Sequence, residues 1–171
     1  MTTRRLFLGA AAAALVTRPL MGFSQEVVEI AMGGRADGSH VWFDPIGLLV
    51  PVGTSLRWTN RDSGNSHTAT AYHPSIFGRQ ARIPAGAEPF DSDYLLPGES
   101  FSVTLNVPGI YDFYCQPHEH AGMVGRIIVG EPGPVYPDVE PDKGLEGLPD
   151  IALANLPAID AIMAAGQVHK E

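Results

Sequence analysis

The segment Tyr114-Cys115-Gln116-Pro117-His118-Glu119-His120-Ala121-Gly122-Met123 contains the chain's one cysteine, a histidine three residues later and a methionine five beyond that. A thiolate, an imidazole and a thioether so close together form a soft donor set, and soft sulfur donors select copper. A second imidazole must come from elsewhere in the fold, and His67 in Asn65-Ser66-His67-Thr68-Ala69-Thr70 is the candidate. Two imidazoles and a thiolate in a trigonal plane, with a weak axial methionine, make a blue-copper site suited to electron transfer. In that arrangement Cys115 binds as thiolate and dominates the bonding. His67 and His118 bind through neutral ring nitrogens, and Met123 is the long axial ligand that helps set the potential. Zinc also accepts one cysteine and two histidines, but a thioether is a poor reason to choose it.

The other histidines read differently. His120 is offset by two from His118, so it points elsewhere and is expected to be an exposed neighbour. His40, His73 and His169 read as surface residues, with His73 the one whose distance from the site is worth checking. Phe113 and Tyr114 alternate across a strand, one in the core and the other beside the site.

These donors need rigid supports, and from Glu26 to Gly130 the pattern supplies short strands. Val27–Ile30, Val41–Phe43 and Gly47–Val50 come first, with Asp44-Pro45 as a break. Thr54–Thr59 follows a Pro51-Val52-Gly53 turn, and Ser66–Ala71 is the next candidate strand. Phe101–Val107 alternates apolar and polar residues, which predicts one buried face and one wet face. Pro108-Gly109 turns the chain into Ile110–Cys115, and Val124–Val129 closes the domain. Many short strands separated by Gly and Pro predict an all-β sandwich. The loop from Cys115 to Met123 then joins two adjacent strand ends, and His67 arrives from another strand. Tyr72–Gly98 is too long and polar for a hairpin loop and is expected to hold little regular structure. After Gly130, residues 131–171 form a proline-rich linker and a tail. Asn155 is the expected cap of a short helix there, with Pro157 in its first turn and Gly166 as its stop. Leu156, Ile159 and Met163 share one face of it, expected to pack on the sandwich.

With 171 residues, 44% of them apolar, the chain suits one domain with some excess. Residues 1–24 read as an export signal of the twin-arginine type: Arg4-Arg5 precede an apolar run from Leu6 to Val16. That run falls short of the roughly 20 residues a membrane span needs. Gly22 and Ser24 are small residues suited to cleavage before Gln25, which predicts a periplasmic or exported protein. Removal of residues 1–24 deletes Arg4, Arg5 and Arg18 and moves the net charge from −8 to −11. Such an acidic domain has no electrostatic case for nucleic acid, although a basic protein partner would be attracted. A lone cysteine in an oxidising compartment has no internal disulfide partner, and metal ligation explains it economically.

The run Pro108-Gly109-Ile110-Tyr111-Asp112-Phe113-Tyr114-Cys115-Gln116-Pro117-His118, continuing through Ala121-Gly122-Met123-Val124-Gly125, resembles the C-terminal copper loop of plastocyanins. More broadly it is similar to the plastocyanin/azurin family of small blue copper proteins. The ligand spacing is the plastocyanin one, and it gives His120 no ligand role. Pro51-Val52-Gly53-Thr54, Trp58-Thr59-Asn60 and His67 resemble the family's path to its first ligand. The resemblance covers residues 26–130. It implies a Greek-key sandwich (cupredoxin-like), one type 1 copper, and one-electron transfer between redox partner proteins such as cytochromes or oxidoreductases, without substrate chemistry. Plastocyanins usually carry Asn directly after the first ligand histidine, tying the two ligand loops together. Here Thr68 stands in that place, so either a hydroxyl makes the tie or the tie is absent. Copper delivery or storage is the alternative function, but Met32, Met123 and Met163 are scattered rather than clustered. A copper enzyme would need further histidine sets, and His118-Glu119-His120 is the one His-x-His in the chain.

Overall fold

The computed structural model describes residues 27–131 and 147–170; the export signal and cleavage site expected over residues 1–25 lie outside them, as does most of the expected linker, residues 132–146. Among the described residues nine strands form two sheets. The first sheet takes β1 (Val27–Gly34), β2 (Val41–Asp44), β4 (Thr54–Asn60) and β6 (Ser100–Leu105) in the order β2-β1-β4-β6. The second takes β3 (Gly47–Val50), β5 (Thr70–Ala71), β7 (Gly109–Tyr114), β8 (Val124–Val129) and β9 (Gln167–Val168) in the order β5-β7-β8-β3-β9. Both sheets are mixed, because β1 runs parallel to β4 and β3 parallel to β8. The two sheets face each other across one core that includes Ile30, Met32, Phe43, Leu56, Trp58, Phe113 and Ile127.

The sheets differ in what covers their outer faces, and the sequence explains the first. In β4, Leu56 and Trp58 turn inward while Ser55, Arg57 and Thr59 turn out. The outward residues form cross-strand pairs: Arg57 with Glu29, Ser55 with Thr104 and Thr59 with Ser100. Such polar ladders suit a wet face. In β7 and β8, by contrast, every residue is buried, because the C-terminal tail folds back over the second sheet. Helix α1 (Asp150–Asn155) lies over Tyr72, Tyr114 and Val124, while α2 (Ile159–Ala165) sets Ile162 against Ile110 and Ile128. Strand β9 then pairs with the edge of β3.

The tail therefore packs on the sandwich as expected, through two helices rather than one. Asn155 ends α1 instead of capping a single helix, and Pro157 stands in the break between the two. The cause is Pro157 itself, which disfavours helical geometry at the residue before it. Leu156 is accordingly extended, at φ −63° and ψ 125°. Gly166 follows the last helical residue, as predicted. The strand expected over Ser66–Ala71 shortens to Thr70–Ala71, because His67 and Thr70 pair with Leu95 and Asp91 as isolated bridges. Tyr72–Gly98 has turns and bridges but no strand or helix, yet it sends Ile83, Phe90 and Leu95 into the core.

Candidate metal centre

The segment between β7 and β8 is closed by its own backbone. A 3-10 helix, Gln116–Ala121, follows Cys115 and has Pro117 in its first turn. The Cys115 N–H donates to the Met123 carbonyl at 3.0 Å, His118 N–H to Cys115 at 3.0 Å and Met123 N–H to His118 at 3.1 Å. Gly122 ends the helix at φ 76°, a left-handed conformation that favours glycine. A Cβ at Gly122 would lie 2.5 Å from the Asn155 side chain, so α1 rests directly on this loop. His67 reaches the same place from the first histidine segment, where its backbone N–H and carbonyl pair with Leu95 at 3.1 and 2.8 Å.

Three of the four predicted ligands present their donor atoms to one another. Nδ1 of His67 and Nδ1 of His118 are 3.2 Å apart, and Cys115 Sγ lies 3.6 and 3.4 Å from them. This is the single cluster of three or more His, Cys, Asp or Glu donors among the described residues with the geometry to hold an ion. Met123 is fully buried in the same core cluster as Cys115 and is joined to both Cys115 and His118 through its backbone. The remaining histidines stay out: His120 is exposed, His40 stacks on Trp42, His73 binds Ser75, and His169 pairs with Asp44.

Burial sets the protonation of the donors. Desolvation pushes the Cys115 thiol up to about 11, only partly offset by the Thr68 N–H that points at its sulfur. His67 and His118 both fall below the ordinary histidine value, again chiefly through burial, although Asp62 opposes the fall at each. Neutral imidazoles are the form that ligates metal. A thiol in this setting gives up its proton to a metal ion and not to water.

Thr68 makes the tie that asparagine makes in plastocyanins. Its Oγ1 accepts the Gln116 N–H at 2.8 Å and lies 2.8 Å from Thr70 Oγ1, which in turn donates to Asp91 at 2.8 Å. Two further residues escaped the sequence reading. Asp62, buried, lies 3.1 Å from Nε2 of His67; the acid in Asp62-Ser63-Gly64-Asn65, just before that histidine, is the signal that points to it. Glu119, inside the copper loop, accepts the Tyr72 hydroxyl at 2.8 Å and pairs with Arg79, whose guanidinium also lies over Tyr72 and Tyr114. An acid between two histidines in a loop reads as solvent-facing, and nothing local marks it as buried.

Known proteins with similar sequences and folds bear on this arrangement. Residues 28–130 match the family model described as copper binding proteins, plastocyanin/azurin family. A chloroplastic plastocyanin of Oryza sativa subsp. indica is 36% identical over 125 residues, covering 71% of this chain and 75% of its own. A plastocyanin of Sambucus nigra is 38% identical over 108 residues, covering 60% of this chain and 99% of its own. A pseudoazurin structure from a Sinorhizobium superposes with a TM-score of 0.55 at 25% identity, covering 81% of this chain and 94% of its own. The donor set fits the copper that such a match implies: one thiolate and two imidazoles, pre-formed, buried and held by backbone hydrogen bonds.

Proposed function

The chain belongs to the plastocyanin/azurin family of copper-binding proteins, and from that premise we propose that it is a periplasmic one-electron carrier between redox proteins, its single type 1 copper held by His67, Cys115, His118 and Met123. The observation that carries this reading is the convergence of the Cys115 sulfur with the Nδ1 atoms of His67 and His118. Copper, when bound, supplies the one-electron couple; the protein supplies the frame.

Most of that frame is inaccessible. His67, Cys115 and Met123 have no exposed surface, whereas His118 is half-buried. Electrons enter and leave by the His118 edge, with Pro117 and Ala121 exposed beside it. Gly122 does not share in this rim because α1 covers it, and the partly exposed Ile151 of α1 stands there instead. Redox partners dock against this end, and their identity is set by the surface around it. Ligands fixed by the loop's own hydrogen bonds and by Thr68 need not rearrange when the charge of the site changes by one, which keeps the barrier to transfer low.

The test is optical and electrochemical. Copper-loaded oxidised protein is expected to absorb intensely in the visible through the Cys115 thiolate and to cycle reversibly by one electron. Cys115→Ser should abolish the colour while leaving the far-ultraviolet circular dichroism of the β-sandwich unchanged. A colourless copper complex that loses its metal rapidly to a chelator would overturn the reading in favour of copper delivery.

A further inference from the structure

We propose that Asp62 is a positioning residue of the metal centre, orienting His67 and holding the reduction potential below the value that the ligands alone would set. This rests on the reading of His67 as a ligand. Nδ1 of His67 faces Cys115 and His118, so Nε2 is the nitrogen left for the protein, and it lies 3.1 Å from Asp62 Oδ2. A ligand histidine whose other nitrogen donates to a carboxylate is fixed in ring orientation and tautomer and becomes a stronger donor.

The carboxylate is itself built into place. Asp62 is only 3% exposed. Its Oδ1 accepts the Gly64 N–H at 2.8 Å, and its Oδ2 accepts the Asn65 amide at 2.7 Å as well as facing His67. Two N–H donors and an imidazole nitrogen that can donate meet it, as an ionised carboxylate requires. Gly34 in β1 makes room for it: a Cβ there would lie 1.8 Å from Oδ2. These partners of Asp62 are neutral amides and the imidazole, so among the described residues no Lys or Arg forms an ion pair that offsets its charge. Glu119 differs in this respect, because Arg79 lies against it. A buried negative charge beside a ligand favours the more positive, oxidised state of the site, and burial weakens its screening by salt.

Two variants test the proposal. Asp62→Asn keeps the shape, but an amide cannot accept on both sides, so either His67 or the Gly64 turn meets a donor. Gly34→Ala keeps the charge and displaces the carboxylate from its seat. Both are expected to stay blue. Each should lower the affinity for Cu(II) relative to Cu(I) at least tenfold, an upward shift of 59 mV per tenfold for a one-electron couple. If Asp62→Asn takes up no copper, Gly34→Ala decides the matter. Blue variants whose potentials equal that of the unaltered protein would overturn the inference alone. An unaltered protein that lacks the visible band would remove the ligand reading, and this inference with it.

Discussion

Thr68 donates its backbone N–H to the Cys115 sulfur at 3.3 Å, and its hydroxyl accepts the Gln116 N–H while passing its own proton toward Thr70. One small residue thus joins the segment of His67 to the loop of Cys115. Removing the hydroxyl takes away a bond between buried Thr68 and the exposed Gln116, at a cost of about 0.5–1.5 kcal/mol. Thr68→Val should therefore lower the unfolding free energy of the metal-free protein, read from chemical denaturation, by that amount, while Thr70→Val leaves the Gln116 bond intact and costs less. The departure at position 68 was legible, because the asparagine of plastocyanins is missing there, but whether a hydroxyl made the tie or nothing did was left for the structure to decide. Asp62 was not legible in the same way. Its effect depends on Gly34, a residue 28 positions earlier whose missing Cβ has meaning only once β1 lies beside the turn. Glu119 was hidden for a similar reason, since Arg79 and Tyr72 lie far from it in the chain.

At the scale of elements, the buried ion cluster of the second sheet shows what periodicity misses. Asp112 in β7 stands opposite Arg126 in β8, which grips it through Nε at 2.7 Å and Nη2 at 3.0 Å, while Arg82 binds the same carboxylate. Arg126 also donates to the Pro157 carbonyl at 2.9 Å and so connects the sheet to the break between α1 and α2. Both strands were legible from their apolar residues. That Asp112 and Arg126 lie in the interior was not, because the cover comes from a tail more than 25 residues farther on. Pro157 was likewise read correctly as a helix signal but placed inside a helix that it in fact interrupts. Breaking a buried pair by removing one partner costs about 3–5 kcal/mol, whereas an exposed pair contributes about 0–1 kcal/mol. Arg126→Met is therefore expected to destabilise the protein severely and to make the C-terminal segment the first site of proteolytic cutting. Arg57→Met, on the exposed Arg57–Glu29 pair, should change the denaturation midpoint little.

At the scale of the whole molecule, the tail turns a sheet with one wet face into a sheet buried on both. Tyr72, Tyr114, Ile110 and Ile128 all lie under it, and side chains of this size each gain about 1.5–3 kcal/mol from full burial. A chain ending before Gly147 would expose them as one apolar patch, the kind of surface that drives association. Such a truncated protein is expected to bind a hydrophobic dye, to melt several degrees lower and to elute from a sizing column as more than a monomer. Unchanged melting and a monomeric profile would show that the cover contributes little. The all-β class and the sandwich were legible from alternation and turn residues alone. The covering of the second sheet was not, because it depends on where a distant segment docks.

That cover has a consequence for traffic. Tyr114, covalently next to the cysteine, lies beneath α1 and Arg79, so the thiolate's own neighbour offers no second doorway to the surface. With His118 as the one proposed ligand that reaches solvent, an electron donor and an acceptor would share the same few side chains. Neither can be served while the other is seated. On the proposed reading such a molecule works as a ferry and not as a bridge.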